Sequence, residues 1–321
     1  MILKSSRTLL ALTAALLLLA SAGTAAAKKV PNHPNGKIEK KYYANGTWTV
    51  TVATGAFCCD SSGNKFDLYY PTDLGANGFK HPILTWANGT NALPSQYSYL
   101  LTHMASWGFV IIATEDLNTG VGQTVLDAAN FLIDANSDSS SIFFQKLDVS
   151  EVGAFGHSQG ATGAINAMIK SGGAIKTVIP IELPEQQFCS SPENCTDTKN
   201  VTEGSIFFVD GTDDLLISPP TQLPSVMGEQ SIEAYYNAVP AGINKVKGSL
   251  RGPDHNDVQG QPACNGIILC VNGVYGYLGY PTAWMMANLQ GDTFAARAFI
   301  KGKGEILHEK KNWKYTASDI P

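Results

Sequence analysis

Charge is scarce in this sequence. Asp, Glu, Lys and Arg make up 15% of the 321 residues, with 22 basic against 27 acidic side chains and a net charge of -5. Outside the short stretch from Lys28 to Lys41 the basic residues do not cluster, so the chain lacks the electrostatic footprint of a nucleic-acid-binding protein. Metal-ligand spacing is missing too, since no Cys-x-x-Cys pair and no His-x-x-x-His occurs. Neither a metal nor a cofactor is expected. Internal repeats, low-complexity tracts and Pro/Ser/Gly linkers are also lacking. Residues 42–321 therefore read as a single domain, and a hydrophobic content of 44% is enough to bury a large core.

What is present begins with an export signal. Lys4 and Arg7 precede an uncharged Leu-rich run over 8–27 that ends in Ala25, Ala26 and Ala27, the layout of a cleavable signal peptide. Residues 28–41 then read as an exposed leader, and the mature protein as secreted, extracellular or periplasmic, with no stable membrane insertion. Six cysteines in an exported chain point to disulfides. Cys189 with Cys195, and Cys264 with Cys270, would each close a small loop. Cys58 and Cys59 are left to pair together or to cross-link elsewhere.

The hydrophobic pattern changes along the chain. Residues 48–53 and 65–70, separated by Asp60, Ser61, Ser62, Gly63 and Asn64, read as an antiparallel hairpin. From Ile83 onward, short apolar runs at 83–86, 109–114, 152–155, 177–181 and 206–209 alternate with helical patterns at 95–106, 121–134, 159–170 and 228–238. A further helix is expected at 281–289 and a last strand at 245–250, beside the 206–209 strand. Such alternation predicts an α/β fold, a mostly parallel central sheet covered by helices on both faces.

Gly156-His157-Ser158-Gln159-Gly160 matches G-x-S-x-G, in which a serine is forced onto a tight strand-to-helix turn. The flanks fit, with a buried-strand pattern before it and small residues suited to a closely packed helix after it. Ser158 is thus the candidate nucleophile, and the Gln159 N–H, at the helix N-terminus, a candidate oxyanion donor. A serine hydroxyl needs a base held by a carboxylate, in the chain order Ser, acid, His. His255, in a turn directly after the 245–250 strand, is the expected base, whereas His308 lies in a charged terminal stretch. Asp213 is the expected acid, with Asp214 and Asp210 as rivals in the same acidic turn. The loop from Trp86 to Asn91 should supply a second donor, the Thr90 N–H, with Gly89 allowing close approach. Asn88 also heads a glycosylation sequon, a match read as accidental because a glycan there would crowd the site.

These segments, with 104–113, 147–160, 210–219, 252–255 and 280–292, resemble the secreted bacterial cutinase-like and polyester-hydrolase branch of the α/β-hydrolases. The resemblance implies a lidless site open to bulky or polymeric carboxylic esters, working through an acyl-serine intermediate. It assigns Ser158, Asp213 and His255 as the triad and Thr90 and Gln159 as oxyanion donors. The chain departs from that branch in carrying Thr90 where an aromatic is common, Gln159 where Met follows the nucleophile, and Pro184 and Glu185 where a Trp is found. Trp86 or Tyr97 would then have to replace the missing aromatic clamp. The protein is expected to act as a monomer on small-molecule or polymeric esters. The competing readings are a lipase, acyltransferase or peptidase using the same triad, and a non-catalytic binding domain on a hydrolase scaffold.

Overall fold

The computed structural model describes residues 34–222, 225–261 and 263–321. The expected signal peptide over 1–27 and the leader up to residue 33 lie outside the described residues. Among the described residues, no helix is long and apolar enough to cross a membrane.

A nine-stranded sheet forms the centre, with strands β1 (Val50–Cys58), β2 (Lys65–Pro71), β3 (His81–Ala87), β4 (Val110–Thr114), β5 (Leu147–His157), β6 (Ile175–Ile181), β7 (Ser205–Gly211), β8 (Asn244–Leu250) and β9 (Trp313–Ser318). Their spatial order is β1-β2-β4-β3-β5-β6-β7-β8-β9. The β1-β2 pair is an antiparallel hairpin, and β2 pairs antiparallel with β4. From β4 to β8 every neighbouring pair is parallel. Strands β3, β4 and β7 are buried along their whole length because both sheet faces are covered. β1, at the edge, alternates between partly buried and exposed residues over most of its length.

The period-two alternation of strand side chains divides the core into two layers. Leu84, Phe207 and Val209 face one layer, built with helices α2 (Ser98–Ser106) and α6 (Gly279–Leu289). Ile83, Ile206 and Phe208 face the other, built with α3 (Gln123–Ala135), α4 (Gln159–Lys170) and α5 (Ile232–Ala238). The arrangement is the expected α/β fold with helices on both faces. Among the described residues the remaining α-helices are the short α1 (Lys37–Tyr43), α7 (Thr293–Ala296) and α8 (Glu305–His308).

Two expectations are corrected. The leader expected to be exposed over 28–41 is part of the folded domain from residue 37 on, because α1 buries Ile38 and Glu39 within it and Tyr42 just beyond it. Its basic residues hid this, since Lys37, Lys40 and Lys41 occupy the outer face while the inner face carries three well-spaced buried side chains. The Glu305 carboxylate accepts the backbone N–H groups of Lys37, Ile38 and Glu39 at 2.8 to 3.0 Å, which satisfies the open donors of the first turn. Glu305→Gln should therefore lower stability by about 1–2 kcal/mol, a fall in Tm of roughly 3–6 °C by calorimetry. An unchanged Tm would show that α1 docks without this cap.

The second correction is β9, which follows the charged stretch around His308 and was not expected as a strand. Lys310, Lys311 and Lys314 mask its strand pattern, yet Trp313 is fully buried. Its ring packs 5.4 Å from that of Tyr280, and its Nε1 donates to Glu39 Oε1 at 2.7 Å. β9 pairs antiparallel with β8 and closes that side of the sheet, so 245–250 is not the last strand.

Candidate active site

Only Ser158 separates β5 from α4, and it holds φ 55° and ψ -127°. A positive φ at a non-glycine residue costs energy, and the surrounding structure must impose it. Close approach on both sides explains the flanking glycines. A Cβ on Gly156 would fall 2.3 Å from the Gly160 carbonyl oxygen, and one on Gly160 would fall 2.1 Å from that of Ala87. The turn thus lifts the serine hydroxyl above the sheet edge at the N-terminus of α4, where unpaired N–H groups and the helix dipole favour negative charge.

His255 follows β8 in a turn, and its Nε2 lies 2.9 Å from Ser158 Oγ. Its Nδ1 lies 2.6 Å from Asp214 Oδ2. The carboxylate that reaches the imidazole is thus that of Asp214 and not of the expected Asp213. Backbone pairing decides between them. The N–H groups of Thr212 and Asp213 donate to the carbonyls of Leu250 at 2.7 Å and Pro253 at 3.0 Å, which holds the turn against the end of β8. With the turn so fixed, the Asp213 side chain faces solvent and the next side chain points inward. The other oxygen of Asp214 accepts the Ile217 N–H at 3.0 Å. Burial is the strongest single influence on Asp214 and pulls its pKa up. The hydrogen bond and charge of His255, with the Ile217 and Ser218 N–H groups, together outweigh it and hold the carboxyl below its ordinary range. Asp210 is fully buried inside β7, where desolvation pushes its pKa well up. His308 is exposed, and its Nε2 lies 3.2 Å from the Gly302 carbonyl.

Three further contributors have roles that the sequence did not reveal. His157 and Tyr97, both 1% exposed, lie behind the triad. His157 Nε2 is 2.8 Å from the His255 carbonyl oxygen, which can only accept, so Nε2 carries the proton and Nδ1 accepts. The Tyr97 hydroxyl donates to that Nδ1 at 2.9 Å and accepts the Gly89 N–H and the Gln259 side-chain amide, each at 3.1 Å. Burial first, and then the nearby His255, push the His157 pKa down to about 3, so this ring stays neutral and its tautomer fixed near neutral pH. The third contributor is Glu182, fully buried just after β6, where it accepts from the Tyr277 hydroxyl. Burial, then the charges of Asp214 and Asp210, raise its pKa well above the usual range. Ligand atoms of Glu182, Asp214 and His255 lie within 4.8 Å of one another. Both imidazole nitrogens are already engaged by Ser158 and Asp214.

A cleft of about 370 Å³ opens over Ser158, walled by Thr90, Asn118, Gln159, Glu185, Phe188 and Ile217 among others. The two expected oxyanion residues, Thr90 and Gln159, are thus brought to the serine, with Gly89 tied to Tyr97 below them. Trp86 and Tyr97 do not replace the aromatic clamp, because they are 0% and 1% exposed. Phe188 is the aromatic in the wall. The Asn88 side chain is fully buried and donates to the carbonyls of Thr114 and Asp116, so its sequon is closed to a glycan. Cys189 pairs with Cys195 and Cys264 with Cys270 as their spacing suggested, with Cα separations of 5.3 and 5.5 Å, and Cys58 pairs with Cys59.

A serine on a strand-turn-helix elbow, followed along the chain by an acid after β7 and a histidine after β8, on a sheet of this strand order, defines the α/β-hydrolase class. A family model of PET hydrolase-like proteins (PETase) matches residues 24–195, more than half of the chain. The chain belongs to this PET hydrolase-like family and is an ester hydrolase. The matched segment contains Thr90, Ser158 and Gln159 and ends before Asp214 and His255.

Proposed function

We propose that the protein is a secreted serine esterase that cleaves carboxylic esters through an acyl-serine intermediate, with Ser158 as nucleophile, His255 as base and Asp214 as the carboxylate that orients it. The observation that carries this reading is the pair of contacts made by one imidazole, 2.9 Å to the serine oxygen and 2.6 Å to the aspartate. His255 Nε2 takes the hydroxyl proton as Ser158 Oγ attacks the ester carbonyl, then returns it to the leaving alcohol. The N–H groups of Gln159 and Thr90 receive the negative charge that develops on the carbonyl oxygen. Water, activated by the same imidazole, then releases the acid.

The rim of the cleft favours bulky, water-poor substrates such as polymeric esters. Leu215, Leu216, Met227 and Ile268 are 71%, 64%, 89% and 79% exposed, on loops that adjoin Asp214, the cleft wall and the His255 turn. Apolar side chains this open to solvent suit adsorption to an apolar surface. Three cysteine pairs at bonding distance agree with an oxidising compartment. A fluorophosphonate probe should label Ser158 and abolish p-nitrophenyl butyrate hydrolysis in parallel, as read by peptide mass analysis and residual rate. Folded protein that neither takes the label nor cleaves the ester would sink the proposal in favour of a binding role.

A further inference from the structure

The walls around Ser158 carry charge of only one sign. Among the described residues lining the cleft there is no Lys, Arg or His, and the single ionisable carboxylate is that of Glu185. A second trough of about 530 Å³ adjoins the cleft and shares Glu185 with it. Its described lining adds Gln187, Gln222 and Gln230 to apolar groups such as Leu215 and Met227, again without a cation. Glu185 thus stands where the two spaces meet. Its position is fixed by its own N–H, which donates to the Ile217 carbonyl at 2.8 Å and ties this segment to the loop that carries Asp214. The Gln187 side-chain amide donates to one of its oxygens, which orients the carboxylate without neutralising it. Partial burial first, and the negative charge of Asp214 as well, raise the Glu185 pKa against the opposing hydrogen bond from Gln187.

We propose that Glu185 is a specificity-determining residue that sorts substrates by charge, so that the site takes esters with neutral acyl groups and rejects those whose acyl group ends in a free carboxylate. The inference rests on the esterase reading and adds a substrate class to it. An acyl chain attached to Ser158 must extend along one of the two spaces that Glu185 borders. A carboxylate on that chain would face like charge with no Lys or Arg among the described residues lining either space, in a site less screened than bulk water. An uncharged chain of the same length meets amides and apolar surface instead.

The test compares kcat/KM at pH 8 for p-nitrophenyl methyl adipate and p-nitrophenyl hydrogen adipate, which differ by one charge at the far end of the acyl chain. The wild-type protein should prefer the neutral ester by about tenfold, and Glu185→Gln should narrow that ratio roughly fivefold. Glu185→Lys should reverse the order. Raising the salt to 0.5 M should shrink the wild-type ratio and leave that of Glu185→Gln nearly unaltered, about as expected when the Debye length falls to a few ångströms. Because the readout is a ratio within one protein, partial misfolding of a variant cancels. An equal ratio in wild type and Glu185→Gln would overturn the charge-sorting role while leaving the esterase standing. Failure of the wild type to cleave either ester would overturn both.

Discussion

Asp214→Asn should lower kcat for p-nitrophenyl butyrate by about four orders of magnitude with little change in KM, whereas Asp213→Asn should stay within about twofold of wild type. The difference follows from proton placement. With a carboxylate at 214, His255 Nδ1 must donate, because Asp214 Oδ2, 2.6 Å away, can only accept. Nε2 is then left unprotonated toward Ser158 Oγ at 2.9 Å, as a general base requires. An asparagine can present its amide N–H groups to Nδ1, since Ile217 N–H already holds the other oxygen position. The ring then adopts the opposite tautomer, and its Nε2 proton points at a hydroxyl that it can no longer deprotonate. Asp213 offers no such lever, since its side chain is exposed and its nearest polar contact is the Thr212 hydroxyl at 3.3 Å. Steady-state kinetics on the two variants decide the matter. A larger loss at Asp213 than at Asp214 would mean that the acid reaching the imidazole in solution is not the one placed there.

The two residues legible from sequence and the one misassigned differ in what fixes them. Ser158 is defined within five residues, because Gly156 and Gly160 are forced by contacts of the turn with itself and with the adjoining strand end. His255 was legible because it follows a strand pattern directly and has one downstream rival. The acid depends on the long-range bonds from Thr212 and Asp213 to Leu250 and Pro253, some 40 residues away. With three aspartates in five positions, local turn chemistry could not choose among them. The same division holds for the fold. Apolar runs revealed the parallel strands and the helices between them, while α1 was hidden because lysines crowd its outer face and β9 because Lys310 and Lys311 precede it and Lys314 lies within it. Only their buried Ile38, Tyr42 and Trp313, seen against partners far along the chain, identify them as core.

Tyr97→Phe removes one oxygen and should slow turnover by about 10- to 100-fold while lowering stability by roughly 2–4 kcal/mol. That oxygen is the meeting point of three segments, the loop after β3, the end of β5 and the turn after His255. The Gly89 N–H, the Gln259 amide and His157 Nδ1 all bond to it, at 3.1, 3.1 and 2.9 Å. With phenylalanine each is left without this partner inside a region where Tyr97 and His157 are 1% exposed, so water cannot readily replace it. The catalytic loss follows from what the three partners hold. Gly89 precedes Thr90 in the oxyanion loop, and His157 fixes the His255 backbone through its carbonyl at 2.8 Å. A shift of even a few tenths of an ångström at either end misplaces the donors for the developing oxyanion or the imidazole itself. The KM for a short ester should move little, because these groups act on the reacting atoms and not on the acyl chain. Kinetics measured well below the reduced Tm, and normalised to fluorophosphonate-titrated sites, separate slower turnover from a smaller folded fraction. If the loss vanished on that normalisation, Tyr97 would be a structural tyrosine only, and the coupling of the oxyanion loop to the histidine turn would have to run through other contacts.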